Sequence, residues 1–175
     1  MGIQLIMKKV VLLVIFTVVS FTVVNAQDYK WWAGAKSALW LESDQMIFVF
    51  APEVGYHLTN KFAVAASIGF SSYQYDNNSN KNELILNPYI HFKAINKDNL
   101  LFFVNFGVDY GLGDIEGFQV GFKPGMAIPL SNRVTFALQF GFLGYNDGKG
   151  IGSKSKGVGF DLSGYQSGFV IFYSF

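Results

Sequence analysis

Large apolar side chains recur at every second position through six stretches of this chain, and this alternation constrains the fold more than any other feature. Between positions 118 and 123, for example, Phe118, Val120 and Phe122 alternate with Gln119 and Gly121. A period of two places successive side chains on opposite faces of a β-strand. In all six stretches the bulk falls on even-numbered positions. The sequence therefore predicts an all-β chain with one bulky apolar face and one small or polar face.

A repeat with a period of 36 residues indicates where these strands turn. Pro52, Pro88 and Pro124 are each followed eight residues later by an Asn and then a base. The three Asn-base pairs are Asn60-Lys61, Asn96-Lys97 and Asn132-Arg133. Short polar side chains suit tight turns because they bond to the local backbone. The predicted strands, read outward from these turns, are 30–41, 46–58, 61–73, 83–95, 100–110, 117–130, 133–145 and 159–175. Eight strands with short turns at one end and irregular loops at the other form an antiparallel up-and-down barrel.

The two faces of these strands require two different environments. Odd positions carry Gly, Ala, Ser and most of the strand charges, and charged residues make up only 14% of the chain against 51% hydrophobic residues. A soluble barrel of the lipocalin kind would turn the bulky face inward, but the interior of a closed eight-stranded barrel has room only for side chains or one small ligand. The bulky face would overfill it. The sequence therefore predicts a transmembrane barrel with the bulky face toward lipid.

The first 26 residues have the anatomy of a secretory signal. Lys8 and Lys9 precede a run of fifteen weakly polar to apolar residues, 10–24, and small residues close the segment at Ala26. A transmembrane anchor is the alternative, but about twenty apolar residues are needed to span a bilayer. We therefore expect cleavage after Ala26 and an exported barrel domain at 27–175.

The last stretch, SGFVIFYSF at 167–175, resembles the final strand of small outer-membrane β-barrel proteins. The signal segment, the eight alternating strands and the Asn-base turns add to this resemblance. As a whole, the chain is similar to the eight-stranded outer-membrane barrel proteins abundant in the Bacteroidota. The resemblance implies location in the cell outer membrane, in contact with its lipid and lipopolysaccharide. It also implies that the barrel assembly machinery reads the last strand as an insertion signal. Residues that match this signal are Gln166, Gly168, Ile171, Tyr173 and Phe175, with Ile171 standing where an aromatic is commoner.

Charged and polar residues of inward parity form a predicted lumen network. Its members are Glu53, His91, Lys93, Asp109, Lys123 and Arg133. Buried charges need partners, so this network predicts a plugged lumen, with a narrow passive channel as the alternative. Aromatic residues near strand ends are predicted to form interfacial girdles. They are Trp31, Trp32, Trp40, Tyr73, Tyr110 and Tyr145.

The sequence does not favour enzymatic chemistry. His57 and His91 lie toward the turn end, whereas barrels that modify lipid A use Ser and His near the outer leaflet. The stretch GKGIGSKS at 148–155 lacks the Gly that a phosphate loop needs before its Lys, which indicates a solvated loop, with contact of its lysines with lipopolysaccharide as the alternative. The net charge of +1 indicates no nucleic-acid partner, and cysteine is absent. We therefore predict a structural or interaction barrel without cofactor, metal or catalytic site, whose loop partner is unidentified. The first alternative is a narrow passive channel, and the second is a lipid-modifying enzyme.

Overall fold

The computed structural model describes residues 29–41, 45–75, 80–97, 99–113, 116–149, 156–162 and 166–175. The predicted signal segment, 1–26, lies outside these residues. The strands are β1 Trp31–Leu41, β2 Gln45–His57, β3 Phe62–Tyr75, β4 Asn80–Lys97, β5 Leu100–Gly113, β6 Gly117–Pro129, β7 Val134–Gln139, β8 Phe142–Asn146, β9 Gly157–Asp161 and β10 Gly168–Ser174.

These segments form one closed antiparallel barrel. Strands β1 to β6 pair in chain order, β6 pairs with β7, and β7 pairs with β10. Pairing of β10 with β1 then closes the ring, from Trp32 opposite Ser174 to Ser37 opposite Phe169. Segments β7 and β8 are successive parts of the seventh strand, because both pair with β6. Segments β9 and β10 are parts of the eighth strand, because β9 pairs with β8 and β10 pairs with β7. The predicted eight-stranded antiparallel barrel is confirmed.

The turns that carry the 36-residue repeat lie together at one end of this barrel, which we call the turn end. In the turn after β2, the Thr59 hydroxyl oxygen accepts hydrogen bonds from the backbone N–H groups of Lys61 (3.2 Å) and Phe62 (3.0 Å). Ser131 does the same after β6, for Arg133 (3.2 Å) and Val134 (3.0 Å). Hydroxyl side chains thus order the backbone of both turns. The opposite end, with the remaining connections, is the loop end.

The alternation predicted from sequence sets the outward face of β2 to β6. Phe48, Ile68, Phe106 and Phe122, all on even positions, are each exposed by more than 40%. The prediction is wrong for Phe142, which has even parity but is 4% exposed and points inward. Gly141, between β7 and β8, has a positive φ of 78° and interrupts the strand. Because the strand is broken there, the parity of the following residues is reversed.

Aromatic side chains occupy much of the lumen, although small and polar groups were expected there. Trp32, Tyr89, Phe103 and Phe142 are all at least 93% buried. Several of them lie over a glycine of a neighbouring strand. A Cβ atom on Gly55 would lie 2.1 Å from the Trp32 ring, one on Gly125 would lie 2.3 Å from the Phe103 ring, and ones on Gly121 and Gly144 would lie 2.8 Å and 2.7 Å from the Phe142 ring. Glycine on the inward face therefore makes room for rings that fill the interior.

Two of the predicted girdle positions differ in outcome within β1. Trp31 is 48% exposed, as a girdle residue would be, whereas Trp32 is 5% exposed and belongs to the lumen. Successive residues of a strand face opposite sides, so both cannot point outward. Tyr110 is exposed and Tyr145 is half-buried. The side chains of Trp40 and Tyr73 lie outside the described part of the structure.

We predict that Gly121→Ala destabilises the barrel, because the new Cβ would lie 2.4 Å from the backbone oxygen of Leu143 and 2.7 Å from the Gly144 Cα. Backbone atoms at such distances must shift, so the free energy of unfolding should fall by about 1–3 kcal/mol. Urea unfolding of the protein in detergent micelles, followed by circular dichroism, measures this change. Gly159→Ala is the matched control, since its Cβ would meet no atom within 4 Å. Equal effects of the two substitutions would contradict the packing described here.

Candidate functional site in the barrel lumen

The centre of the lumen holds a buried carboxylate with three side-chain donors. Asp109 on β5 accepts hydrogen bonds from Asn87 on β4 and from Gln119 and Lys123 on β6. The Lys123 ammonium also forms an ion pair with it, and the side chains are 14% and 6% exposed for Lys123 and Asp109. The β5–β6 register places Gln119 directly opposite Asp109, with both side chains inward. A carboxylate withdrawn from water in this way is stabilised by the cation and the two amide donors.

Amide side chains extend this cluster across the lumen. The Gln119 amide nitrogen donates to the Gln166 oxygen at 3.2 Å, and the Gln166 nitrogen donates back to the Gln119 oxygen at the same distance. Asn146 on β8 also donates to Gln119, at 3.4 Å. Gln119 is only 2% exposed. The network therefore joins β4, β5, β6 and β8 to the segment just before β10, and it ties opposite walls of the barrel together.

Lys36 on β1 is a central lumen residue that the sequence prediction did not include. Its ammonium donates a hydrogen bond to the Gln139 side chain on β7 at 3.2 Å. The charged groups that influence it most are Lys123, Asp109 and Glu53. Its aliphatic stem lies against Gly168, where a Cβ would be 2.5 Å from the Lys36 Cε. The ammonium groups of Lys36 and Lys123 and the Asp109 carboxylate thus share the middle of the barrel, with the Glu53 carboxylate on the side toward the turn end.

The half of the lumen nearer the turn end is lined by rings. The Trp32 ring centroid lies 4.8 Å from that of His57 and 6.0 Å from that of His91, and His91 lies 4.9 Å from Phe103. The Nδ1 of His91 is 2.8 Å from the side-chain oxygen of Asn105. His91 therefore pairs with a neutral amide, and not with the carboxylate that would activate it as a base.

Three buried polar atoms in this half make no hydrogen bond of normal geometry among the described residues. They are Nε1 of Trp32, one carboxylate oxygen of Glu53 and Nδ1 of His57. The Glu53 carboxylate interacts with the Tyr89 hydroxyl and with the Trp32 indole. Buried polar atoms without a well-formed hydrogen bond are rare because each loses its hydration, so water is the simplest group to satisfy these three.

The structure places five of the six predicted network residues inside the barrel but does not join them into one network. Asp109 and Lys123 are in direct contact, whereas Glu53 and His91 lie closer to the turn end and Lys93 is half-buried there. Inward charges of both signs occur on the described strands: Lys36, Lys93 and Lys123 are basic, and Glu53, Glu83, Asp109 and Asp161 are acidic. The sequence prediction missed Lys36 and Glu83, and it did not include the uncharged Gln119, Asn146 and Gln166.

Arg133 does not join the network and corrects the sequence prediction. It lies on the exposed turn between β6 and β7, where strand parity no longer sets the direction of a side chain. Its Nε and Nη1 atoms donate to the hydroxyls of Tyr29 (3.2 Å) and Tyr173 (3.1 Å). The hydrogen bond to Tyr173, and after it the one to Tyr29, raise the pKa of Arg133 above its ordinary value, so the side chain stays charged.

Residues predicted to form the assembly signal lie in or next to β10. Gly168 packs against Lys36, Ile171 is 51% exposed on the outward face, and Tyr173 contacts Arg133. Phe175 follows the strand, and its backbone N–H donates to the Trp31 carbonyl at 2.9 Å. Their role in insertion stays a prediction.

Within the described residues, no helix has the length and apolarity needed to cross a membrane. Across the same residues, no group of three or more His, Asp and Glu side chains is placed to hold a metal ion. Comparison of the sequence with protein-family models and with curated proteins gave no match.

We predict that the Asp109–Lys123 pair is strongly coupled. Asp109→Ala leaves the Lys123 ammonium buried without its carboxylate, so it should lower the free energy of unfolding by about 3–5 kcal/mol. The double variant Asp109→Ala/Lys123→Met leaves no unpaired charge and should be more stable than Asp109→Ala alone. A double-mutant cycle from urea unfolding measures this coupling, which should exceed about 1 kcal/mol. Glu116→Ala, at an exposed position, is the control for loss of a carboxylate. Additive effects would show that the pair is not coupled.

Proposed function

We propose that this protein is an integral outer-membrane β-barrel with a structural or interaction role, whose lumen is plugged by its own side chains. The observation that carries the proposal is the contrast between its two faces. Large apolar side chains cover the outside of a closed barrel whose interior holds paired charges and amides. A soluble protein would place these groups the other way round.

The outward apolar surface is too large to face water. In the described part of the chain, 27 large hydrophobic side chains are exposed. They occur on all ten strand segments or directly beside them, and include Phe48, Phe70, Phe106, Phe122, Leu143 and Ile171. A soluble monomer exposes contiguous apolar patches of only a few hundred Å². Closure pairs the strand edges with one another, so the barrel can face hydrocarbon without exposing backbone polar groups. Lipid is therefore the environment that suits this apolar face.

The interior supports the plugged form of this proposal. Trp32 and Phe103 fill the half near the turn end, and the Asp109 cluster with Lys36 crosses the centre. Phe142 lies over Gly121 and Gly144, between the positions of Gln119 and Lys123 along β6. Narrow eight-stranded barrels leave little space beyond their own side chains. The absence of an activating partner on His91 favours a non-enzymatic role, which leaves the loops at the loop end as the surface for partners.

A narrow passive channel is the second candidate. The buried atoms of Trp32, Glu53 and His57 that lack a well-formed hydrogen bond favour it, because water entering the turn end would satisfy them. The paired charges at the centre separate this hydrated region from the loop end. We therefore expect hydration of one half without continuous passage.

Conductance in planar bilayers distinguishes these two forms. We expect no discrete current steps from the purified protein, because the Asp109 cluster and Lys36 block the centre. Reproducible steps at protein concentrations that give single insertions would instead support the channel. An unrelated eight-stranded barrel prepared in the same detergent controls for leakage at the insertion site.

The membrane location is tested first in native cell fractions. We expect the protein to sediment with the outer membrane, and to migrate faster on gels when unheated than when boiled. Closed membrane barrels keep their compact form in detergent until heated. A soluble protein of single mobility would contradict the proposal.

Phe122→Lys and Leu130→Lys provide a sharper test of the same proposal. Phe122 lies near the middle of β6 and is 47% exposed, whereas Leu130 lies in the following turn and is 63% exposed. In lipid, a lysine at mid-depth should cost about 2–4 kcal/mol of folding stability, and one near the interface about 0–1 kcal/mol. In water, neither change should matter, since both sites are exposed. Folding into lipid vesicles, followed by gel mobility against urea concentration, measures the difference.

A further inference from the structure

The 36-residue repeat places a cation on each of the three turns of the turn end. Lys61 follows β2, Lys97 ends β4, and Arg133 precedes β7, and all three are exposed. Lys30, before β1, is a fourth exposed cation at this end. Among the described residues of these turns there is no acidic side chain. Asp98, next to Lys97 in sequence, lies outside the described residues.

The loop end has no such excess of positive charge. The described charged side chains of its connections are Lys149 and Lys156 against Glu116 and Asp147. The two ends therefore differ in sign, with four cations at one and a mixture at the other. The regular spacing of the turn cations around the barrel makes this a ring and not a local patch.

Each turn cation also borders the outward apolar face. Leu58 and Phe62 flank Lys61 and are 57% and 45% exposed, and Ile95, beside Lys97, is 56% exposed. Leu130, beside Arg133, is 63% exposed. Lys and Arg at the edge of an apolar surface place their stems on it and their charges toward the polar headgroups. This arrangement fits a lipid surface better than free phosphate, which needs no apolar neighbour.

Arg133 is a member of the ring that is held by side-chain hydrogen bonds. Its guanidinium is held by the hydroxyls of Tyr29 and Tyr173 and lies 5.5 Å from the Tyr29 ring centroid. These residues, with Ser131, Asn132 and Val134, line an open depression of about 640 Å³. The Nη2 donors are not used in these two bonds, and each hydroxyl that accepts from Arg133 can still donate its own hydrogen. Guanidinium and hydroxyl donors pointing into one depression match the oxygens of a phosphate group.

We propose that the turn end binds anionic glycerophospholipid headgroups, with Arg133, Tyr29 and Tyr173 as its principal phosphate site. Lys61, Lys97 and Lys30 extend the same interaction around the barrel. The inference rests on the proposed membrane location. It predicts that the barrel prefers anionic lipid in the leaflet that contacts the turn end, because cations near a membrane surface are attracted to anionic lipid. The repeat then has a role beyond turn formation.

The test measures lipid selectivity with spin-labelled lipids. Wild-type protein is inserted into vesicles whose two leaflets have the same composition, so its orientation does not matter. The fraction of motionally restricted phosphatidylglycerol is compared with that of phosphatidylcholine by electron paramagnetic resonance. We expect wild type to prefer phosphatidylglycerol by about 2- to 5-fold at low salt, in line with the attraction of anionic lipid for each nearby cation.

Two triple variants with the same change of charge locate this preference. Lys61→Gln, Lys97→Gln and Arg133→Gln together should bring the ratio at least halfway to one. Lys149→Gln, Lys154→Gln and Lys156→Gln, in the connection at the loop end, should leave it unchanged. Equal losses in the two triple variants would overturn the proposal, since charge anywhere on the barrel would then suffice.

Arg133→Gln alone keeps the proposal testable if the first triple variant folds poorly, because the side chain is exposed and outside the lumen. It should remove the largest single share of the preference. Wild-type insertion with equal restriction of both lipids would overturn this inference and leave the proposed membrane location standing. Failure of wild type to restrict either lipid, with no heat-dependent mobility, would overturn both.

Discussion

Hydrogen bonding between β1 and β10 is the interaction on which the rest of the structure depends. It joins the first and last strands over Trp32–Ser37 and gives the sheet no free edge along that seam. In a bilayer, an unpaired strand edge would leave backbone N–H and C=O groups without water or a partner, which costs several kcal/mol for each group. Closure is therefore the condition under which an outward apolar face is stable in a bilayer. It also fixes the width of the interior.

The fixed width explains the composition of the lumen. Eight strands enclose a space that ordinary side chains nearly fill, so a large ring on one strand needs a residue without a side chain opposite it. Trp32 opposite Gly55 and Phe103 opposite Gly125 are such pairs, and the register places each directly across from the other. Glycine weakens a strand through its greater freedom when unfolded. Here that loss is offset by burial of the ring on the neighbouring strand.

The sequence predicted the outward face of the barrel better than the inward one. Bulky residues at even positions follow a single parity along most of β2 to β6, with an exception after the irregularity between Lys93 and Ile95 in β4, where the odd-numbered Ile95 is exposed. Phe142 departs from it because Gly141 breaks the seventh strand, and a local φ of this kind leaves no mark on hydrophobic periodicity. In β1, bulky residues occur on both parities, so the alternation could not show that Trp32 and Lys36 point inward. Arg133 was misplaced because parity was extended past the end of its strand.

The contents of the lumen also depended on contacts that no sequence pattern specifies. Asp109 could be placed inside from its parity, but its donors come from three positions on two other strands, and the amide pair of Gln119 and Gln166 joins residues 47 apart in the sequence. Such partners become visible only when strand register and barrel closure are both known. The charges of the 36-residue repeat and their position at one end of the barrel were predictable from the sequence, but the contacts of Arg133 with Tyr29 and Tyr173 required the structure.

The inward face of the barrel is polar, although apolar side chains could also fill its interior. Replacing a buried ion pair by packed hydrophobic residues is often neutral or stabilising in a soluble core, so stability alone does not explain the pair of Asp109 and Lys123. In this chain, an apolar inward face would make both faces of every strand apolar. Such segments pair with one another readily when exposed in water, as they would be before the barrel closes. Polar residues at alternate positions keep each strand from being apolar on both sides, and closure then has to bury them. Burial in turn requires partners such as the Asp109–Lys123 ion pair and the Gln119–Gln166 amide pair, so the polar interior follows from the same alternation that makes the outside of the barrel apolar.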